Sequence, residues 1–332
     1  MAQIITSGRL GILEWFHFGR KDHVERALAQ LHQAGITELR TGISWADWLS
    51  EGGEEWITWL IERLAKEVNI LPCLVYTPPD LGIEPKTSSP PRNINDYLDF
   101  VDAILKRFGH HFEYIELWNE PTNKVEWDPC LDPDWKIFAS MISLAAKKVK
   151  EYNKKTVLGG MGPVVPSWLD LMFSYDALKD IDVVGIHGFP GTWETNWPGW
   201  RERIKSVQAI TQKYDSLMKI WITEAGFSTL GGREEEQLKE FLQVLALNVE
   251  RIYWYSLNDL SLEYKSTLEC ITGAHDAHEH NMGLMLEDGN SKLLGRILPY
   301  IVPLVPILPE ISIPVQPLPA QAPLLKNTIS SL

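Results

Sequence analysis

Two glutamates in this chain end apolar, strand-like runs and are followed at once by small or rigid residues: Glu120 in EYIELWNEPT and Glu224 in KIWITEAG. Pro121 cannot continue a ladder, so the first run must stop there. That alone accounts for a turn and not for a function. A pair of carboxyl groups held at two strand tips is, however, what cleavage of a glycosidic bond requires. One protonates the leaving oxygen and the other attacks the anomeric carbon. Either glutamate alone is ordinary strand-end chemistry. Two on one face of one sheet would be a site, and the elements that carry them decide whether they share a face.

Eight short apolar runs, at 9–15, 37–42, 70–76, 114–118, 156–160, 182–187, 219–224 and 251–257, alternate with amphipathic segments. The spacing predicts helices over 22–34, 54–68, 95–108, 132–152 and 234–249, with weaker ones over 167–178, 199–214 and 292–300. In the first, Val24, Ala27, Leu28 and Leu31 share a face that Gly35 terminates; in 234–249 the stripe is Leu238, Leu242 and Leu245. Asp132-Pro133 reads as an N-cap with proline in the first turn. Eight such units with near-continuous apolar strands imply a parallel sheet buried on both faces. Their regularity favours closure into an α/β fold of the (β/α)8 TIM-barrel type over an open doubly wound sheet. No G-x-G-x-x-G follows the first strand, which removes the dinucleotide-binding alternative. By strand count Glu120 and Glu224 close the fourth and seventh strands. They would then share the C-terminal face with the long loops 77–93, 121–133, 188–199 and 256–291.

The length of 332 residues suits one such barrel, placed here at 1–298. From 299 to 332 prolines recur through an apolar stretch, which excludes helix and sheet interior and favours extended chain. This Pro-rich C-terminal tail is expected to strap along the barrel exterior, with docking of a protein partner as the alternative. A net charge of −13 argues against nucleic acid, which needs Lys and Arg to neutralise its phosphates. The 14 tryptophans offer flat faces on which the C–H surfaces of sugars can stack. Cys73, Cys130 and Cys270 are too few and too scattered for a disulfide framework. The N-terminus shows no basic segment followed by an apolar run, and no apolar stretch reaches the ~18 residues of a membrane span. No membrane association is expected, and a cytoplasmic location is the default.

LWNEP, IWITEAG, RIYWYSLND and NMGLMLEDGNSKLL, spread over about residues 8–298, resemble clan A of the glycoside hydrolases, and within it the family 39 β-xylosidase-like enzymes. The resemblance implies a retaining mechanism on a neutral saccharide, with no cofactor and no metal. It matches Glu120 to the acid/base, Glu224 to the nucleophile and Asn119 to the residue that bonds the sugar 2-hydroxyl. Arg40 matches an arginine that holds the nucleophile ionised, His187 a site histidine near the nucleophile, and Trp254 the aromatic floor beneath the sugar. Where relatives commonly carry a tyrosine shortly after the histidine, this chain has Phe189, so Glu224 must be positioned by Arg40, His187 or another donor.

Beyond that set, His17 is a further polar candidate for sugar hydroxyls, and Glu116 reads as a buried supporting carboxylate. Trp15, Trp45, Trp127, Trp193 and Trp197 lie near strand ends or in the long loops, where one or two would stack on sugar. The HDAHEH run in the last loop brings together His275, His278, His280, Asp276 and Glu279. Such a set could bind zinc. It lacks a periodic helix to present the ligands, so a solvated or substrate-rim loop is the expectation. Transfer to a sugar acceptor would use the same glutamates as hydrolysis. A barrel that binds carbohydrate or protein without turnover is the competing class.

Overall fold

The structure is a computed structural model that describes residues 8–214 and 217–305, the side chains of 268, 271 and 272 excepted. Its strands are β1 (Leu10–Leu13), β2 (Glu38–Ser44), β3 (Asn69–Val75), β4 (Tyr114–Leu117), β5 (Lys155–Met161), β6 (Val183–Gly188), β7 (Lys219–Ala225) and β8 (Ile252–Tyr255). All neighbours run parallel and β8 pairs with β1, closing the barrel in sequence order. Each strand lies within two residues of its expected bounds.

Side chains alternate across a strand, so each strand feeds two cores. Ile12, Leu39, Leu74, Ile115, Val184 and Ile222 point outward into the apolar layer under the helices. Leu13, Leu71, Tyr114, Val157, Val183, Trp221 and Tyr253 fill the barrel interior. Burial on both faces is why the strands read as continuous apolar runs with little polar alternation.

The helices follow the expected order with three corrections. The helix opened by Asp132 begins at Lys136, and the Asp132 carboxylate accepts from Ile137 N (3.0 Å) and Phe138 N (2.9 Å), capping it from four residues upstream. The helix Glu234–Leu245 buries Gln237, Phe241, Val244 and Leu245, while Leu242 is 45% exposed. The larger aromatic and its partners set the inward face, and Leu242 falls outside it. Near the end of the described chain, the helix Leu293–Ile301 runs through Pro299 and is followed by a 3-10 turn at Val302–Leu304. The helix expected over 292–300 is thus present, and it continues past Pro299, against the expectation that proline excludes helix there. The remainder of the Pro-rich tail, 306–332, lies outside the described residues. Among the described residues no helix is long and apolar enough to cross a membrane.

Candidate active site

Arg40 is the hub of the C-terminal end of the barrel. It lies on β2 two residues after Glu38, so both point inward. Its wholly buried guanidinium donates from Nε to Glu116 Oε2 (2.5 Å), from Nη1 to Glu224 Oε1 (2.5 Å) and from Nη2 to Asn119 Oδ1 (2.8 Å). One planar cation thus fixes groups from β4, β7 and the turn after β4. Gly42, the next inward position of β2, makes room above it: a Cβ there would lie 1.6 Å from the Trp15 ring, which sits over the Arg40 guanidinium at 5.9 Å.

Glu224 closes β7. Strict alternation would send Thr223 and Glu224 to opposite faces, but the β6–β7 register shifts between Ile186 and His187, setting Glu224 beside His187. Both side chains therefore reach the interior, Glu224 to Arg40 and Thr223 Oγ1 to His187 Nε2 at 3.1 Å. Glu120 follows β4 in a turn where Trp118 and Glu120 both have left-handed backbone, φ 69° and 39°. Such angles are sparse for bulky residues and persist where surrounding bonds enforce them. Here Cys73 Sγ donates to Trp118 O (3.2 Å), Trp118 Nε1 to Glu126 O (3.1 Å) and Asn123 N to Glu120 O (2.8 Å).

The Glu120 carboxyl meets His187 Nδ1 at 2.8 Å through Oε1 and Asn123 Nδ2 at 2.8 Å through Oε2. His187 Nδ1 is also 3.6 Å from Glu224 Oε2, and the facing atoms of Glu120, His187 and Glu224 all lie within 4.8 Å of one another. Two glycines of the β5 segment LGGMGP permit this approach. A Cβ at Gly160 would fall 2.1 Å from His187 Nε2, and one at Gly162 would fall 2.1 Å from Glu120 Oε1. The three side chains are close enough to share a metal ion. Each already has a partner, however, and the adjacent Arg40 charge opposes a cation there.

Electrostatics separate the two glutamates. Burial pushes the Glu120 carboxyl up to about 7, with Asn123 and Arg40 only partly opposing it. Burial lowers His187 to about 4, so its imidazole is neutral near pH 7. Glu224 is also pushed above the ordinary range by burial, while His187 and Arg40 pull it down. Arg40 does act on Glu224 in the expected direction, yet burial outweighs it. The guanidinium bonds Glu224 directly and not Glu120.

Of the other expected residues, Asn119 is buried and anchored by Arg40. Trp254 is a correction. Its ring is fully buried on the outer side of β8, edge-on to Phe241 at 5.1 Å, and cannot floor the mouth. The neighbouring Tyr255 takes the inward position beside Phe189 (5.9 Å), its phenol raised by burial and by Glu279, Glu224, Glu14 and Glu120. One residue of phase along a strand reverses the face. His17 stacks on Tyr264 at 3.7 Å, joining the first loop to the last. Trp45 and Trp127 are buried in the outer core, Trp193 is exposed at the rim, and Trp197 packs on Trp200. Two site groups, Tyr76 and Glu126, left no signal in the sequence. Tyr76, with φ 72°, and Asn119 both face the buried Glu126 carboxyl, which burial and the charges of Glu120 and Glu224 push well above its ordinary range.

No protein-family model matches this sequence. Solved structures do share its fold. A family 39 glycoside hydrolase from the gut symbiont Bacteroides cellulosilyticus WH2 is similar at TM-score 0.65 and 15% identity, over 90% of this chain and 64% of that one. An endo-laminarinase from Formosa Hel1_33_131 is similar at 0.61 and 14%, over 88% and 87%. The catalytic domain of GH30 xylanase C from Talaromyces cellulolyticus is similar at 0.57 and 12%, over 91% and 76%. The likeness at these identities is one of fold, a closed (β/α)8 barrel shared with glycoside hydrolases of several families. The chain spans 64% of the length of the family 39 protein.

Proposed function

We propose that this chain is a retaining glycoside hydrolase that cleaves β-glycosidic bonds of a neutral saccharide or glycoside. Glu224 attacks the anomeric carbon while Glu120, in its acid form, gives its proton to the leaving oxygen. Glu120 then takes a proton from the water that releases the sugar from Glu224. The observation that carries this reading is the pair of strand-tip glutamates whose facing oxygens lie within 4.8 Å across His187. That spacing is nearer the roughly 5–5.5 Å between carboxyl groups that direct attack uses than the about 6.5–9.5 Å across which inverting enzymes hold a water.

The unequal environments support the assignment of roles. A carboxyl raised to about 7 holds a proton near neutrality, as a general acid must. A carboxylate bonded by guanidinium has its attacking oxygen oriented. Asn119, its Oδ1 held by Arg40, keeps its amide nitrogen for the sugar 2-hydroxyl and the nearby Glu126. The sequence resemblance to family 39 β-xylosidase-like enzymes makes xylosides and glucosides the first substrates to try.

The test is aglycone release from a panel of aryl β-glycosides by the wild type and by Glu224→Ala. Release by the wild type alone is expected, with the β-anomer as first product and a 2-fluoroglycoside adduct on the Glu224 peptide. No release above the Glu224→Ala control across the panel would overturn the reading and leave a barrel that binds without turnover.

A further inference from the structure

The HDAHEH run belongs to the loop after β8, outside the chemistry above, and its groups are not equally engaged. Glu279 is occupied, accepting from Thr267 N (2.9 Å) and Thr267 Oγ1 (2.9 Å). Asp276 is occupied too, by His278 N (2.9 Å) and Trp193 Nε1 (2.7 Å). Three histidines remain, and two of them, His275 and His280, are joined by a residue from outside the run: Glu269, on the short helix Thr267–Thr272.

The coordinating atoms of Glu269, His275 and His280 lie within 4.8 Å of one another. His280 is 7% exposed, and its Nδ1 stands 3.0 Å from Leu260 O. A carbonyl only accepts, so Nδ1 carries the hydrogen and Nε2 presents a bare lone pair. That Nε2 is buried with no partner among the described residues. A histidine whose one nitrogen donates to a backbone carbonyl, leaving the other as a lone pair, is oriented as metal-bound histidines are. The Glu269 Oε2 to His275 Nδ1 separation of 3.4 Å points the same way. It is long for a charge-assisted hydrogen bond of about 2.7–2.9 Å. It is close to the ~3.3 Å between two donors that share one tetrahedral ion at about 2.0–2.1 Å.

We propose that Glu269, His275 and His280 form a divalent metal site, suited by its two imidazoles and one carboxylate to Zn²⁺, that fixes the loop walling one side of the barrel mouth. The donor set is borderline in softness, which disfavours Ca²⁺ and Mg²⁺. Three protein ligands leave the fourth position to water. The ion would join the short helix to the 275–280 segment. Asp276 carries that constraint to Trp193, and Ser228 Oγ, donating to His278 O at 3.1 Å, carries it to the loop after β7. The site does not depend on the glycosidase reading.

The test uses the full chain stripped with chelator, titrated calorimetrically with ZnCl2, and loaded with Co²⁺ for its visible spectrum. The wild type is expected to bind one equivalent and to show a tetrahedral Co²⁺ spectrum. His275→Ala, at an exposed position, and Glu269→Gln should each weaken binding by about tenfold or more and lose that spectrum, while melting like the metal-free wild type. Glu224→Ala, which alters the other Glu–His cluster, should leave this equivalent intact. Absence of binding in the wild type would overturn the proposal, as would binding unchanged in both loop variants. An equivalent lost in Glu224→Ala but retained in His275→Ala would place the ion in the catalytic cluster and equally overturn it.

Discussion

At the N-terminal end of the barrel interior, Arg251 donates to Glu38 at 2.7 Å, and Glu38 also accepts from Asn69 Nδ2 (2.8 Å) and Gly8 N (3.0 Å). At the C-terminal end Arg40, two positions along the same strand as Glu38, donates to Glu116, Glu224 and Asn119. Both ends thus set an arginine against carboxylate, partly buried at Arg251 and wholly buried at Arg40, and the surroundings differ. The Arg251 guanidinium is sandwiched near Trp221 (4.8 Å) and Tyr114 (5.3 Å), and both Glu38 oxygens have donors. At the mouth, Arg40 bonds Glu116 and Glu224, neutral His187 meets Glu120, and Glu126 lies against Asn119 and Tyr76. Among the described residues Glu126 Oε2 has no hydrogen-bond partner, and Glu224 Oε2 lies 3.6 Å from His187 Nδ1. A buried ionic group with every bond made holds a fold together. Carboxyl groups left short of donors are held in readiness for something else.

The largest expected effect separates the ends most sharply. Under the proposed mechanism Glu224→Ala should lower kcat by about 10⁴-fold or more, the scale of losing a nucleophile, while the chain still unfolds cooperatively in urea. Next are the two arginines. Arg40→Met strands buried carboxylates and should cost about 3–5 kcal/mol of stability, with turnover lost as well. Arg251→Met should cost a similar ~3 kcal/mol but leave kcat of the folded enzyme within about twofold of wild type. Equal loss of kcat in both would erase the functional distinction between the ends.

The third is a pH effect. In the proposed mechanism the proton on Glu120 serves leaving-group departure, so kcat/KM should fall as pH rises through about 7. The same shift, from 4.5 to about 7, makes a stability contribution that is full below pH 4.5 and lost as pH rises to about 7. Glu120→Gln should remove both slopes, which urea titrations and rate profiles would read. The smallest contrast lies on one strand. Tyr255→Phe should change kcat/KM a few-fold with stability within about 0.5 kcal/mol. Trp254→Phe should cost stability by about 1–3 kcal/mol and leave kcat/KM alone.

How much of this was legible depended on range along the chain. The strand bounds could be read because a parallel strand buried on both faces must be apolar throughout and must end at Gly, Pro or a charge. Glu120 and Glu224 could be read because a carboxylate at the end of such a run breaks its pattern. The facing of β8 was not legible, since YWY is aromatic in either phase and only pairing with β1 and β7 sets which ring turns inward. Likewise Phe241 displaced Leu242 from the buried face of its helix. Glu126 left no mark because nothing in NKVEWD distinguishes a loop carboxylate on the surface from one folded beneath Asn119.

The sequence by itself therefore determined the eight-fold βα order and the shared end of the barrel for Glu120 and Glu224, both consequences of local periodicity, whereas Arg40 stood out only through the family resemblance. Tertiary structure decided the rest. The β6–β7 register shift brought Thr223 and Glu224 to one side, glycines in and just after β5 opened room for His187 and Glu120, and closure of the barrel collected Glu116, Glu224 and Asn119 around one arginine. Burial depth, which sets the direction of every shifted carboxyl there, is a property of the closed barrel and of no segment within it.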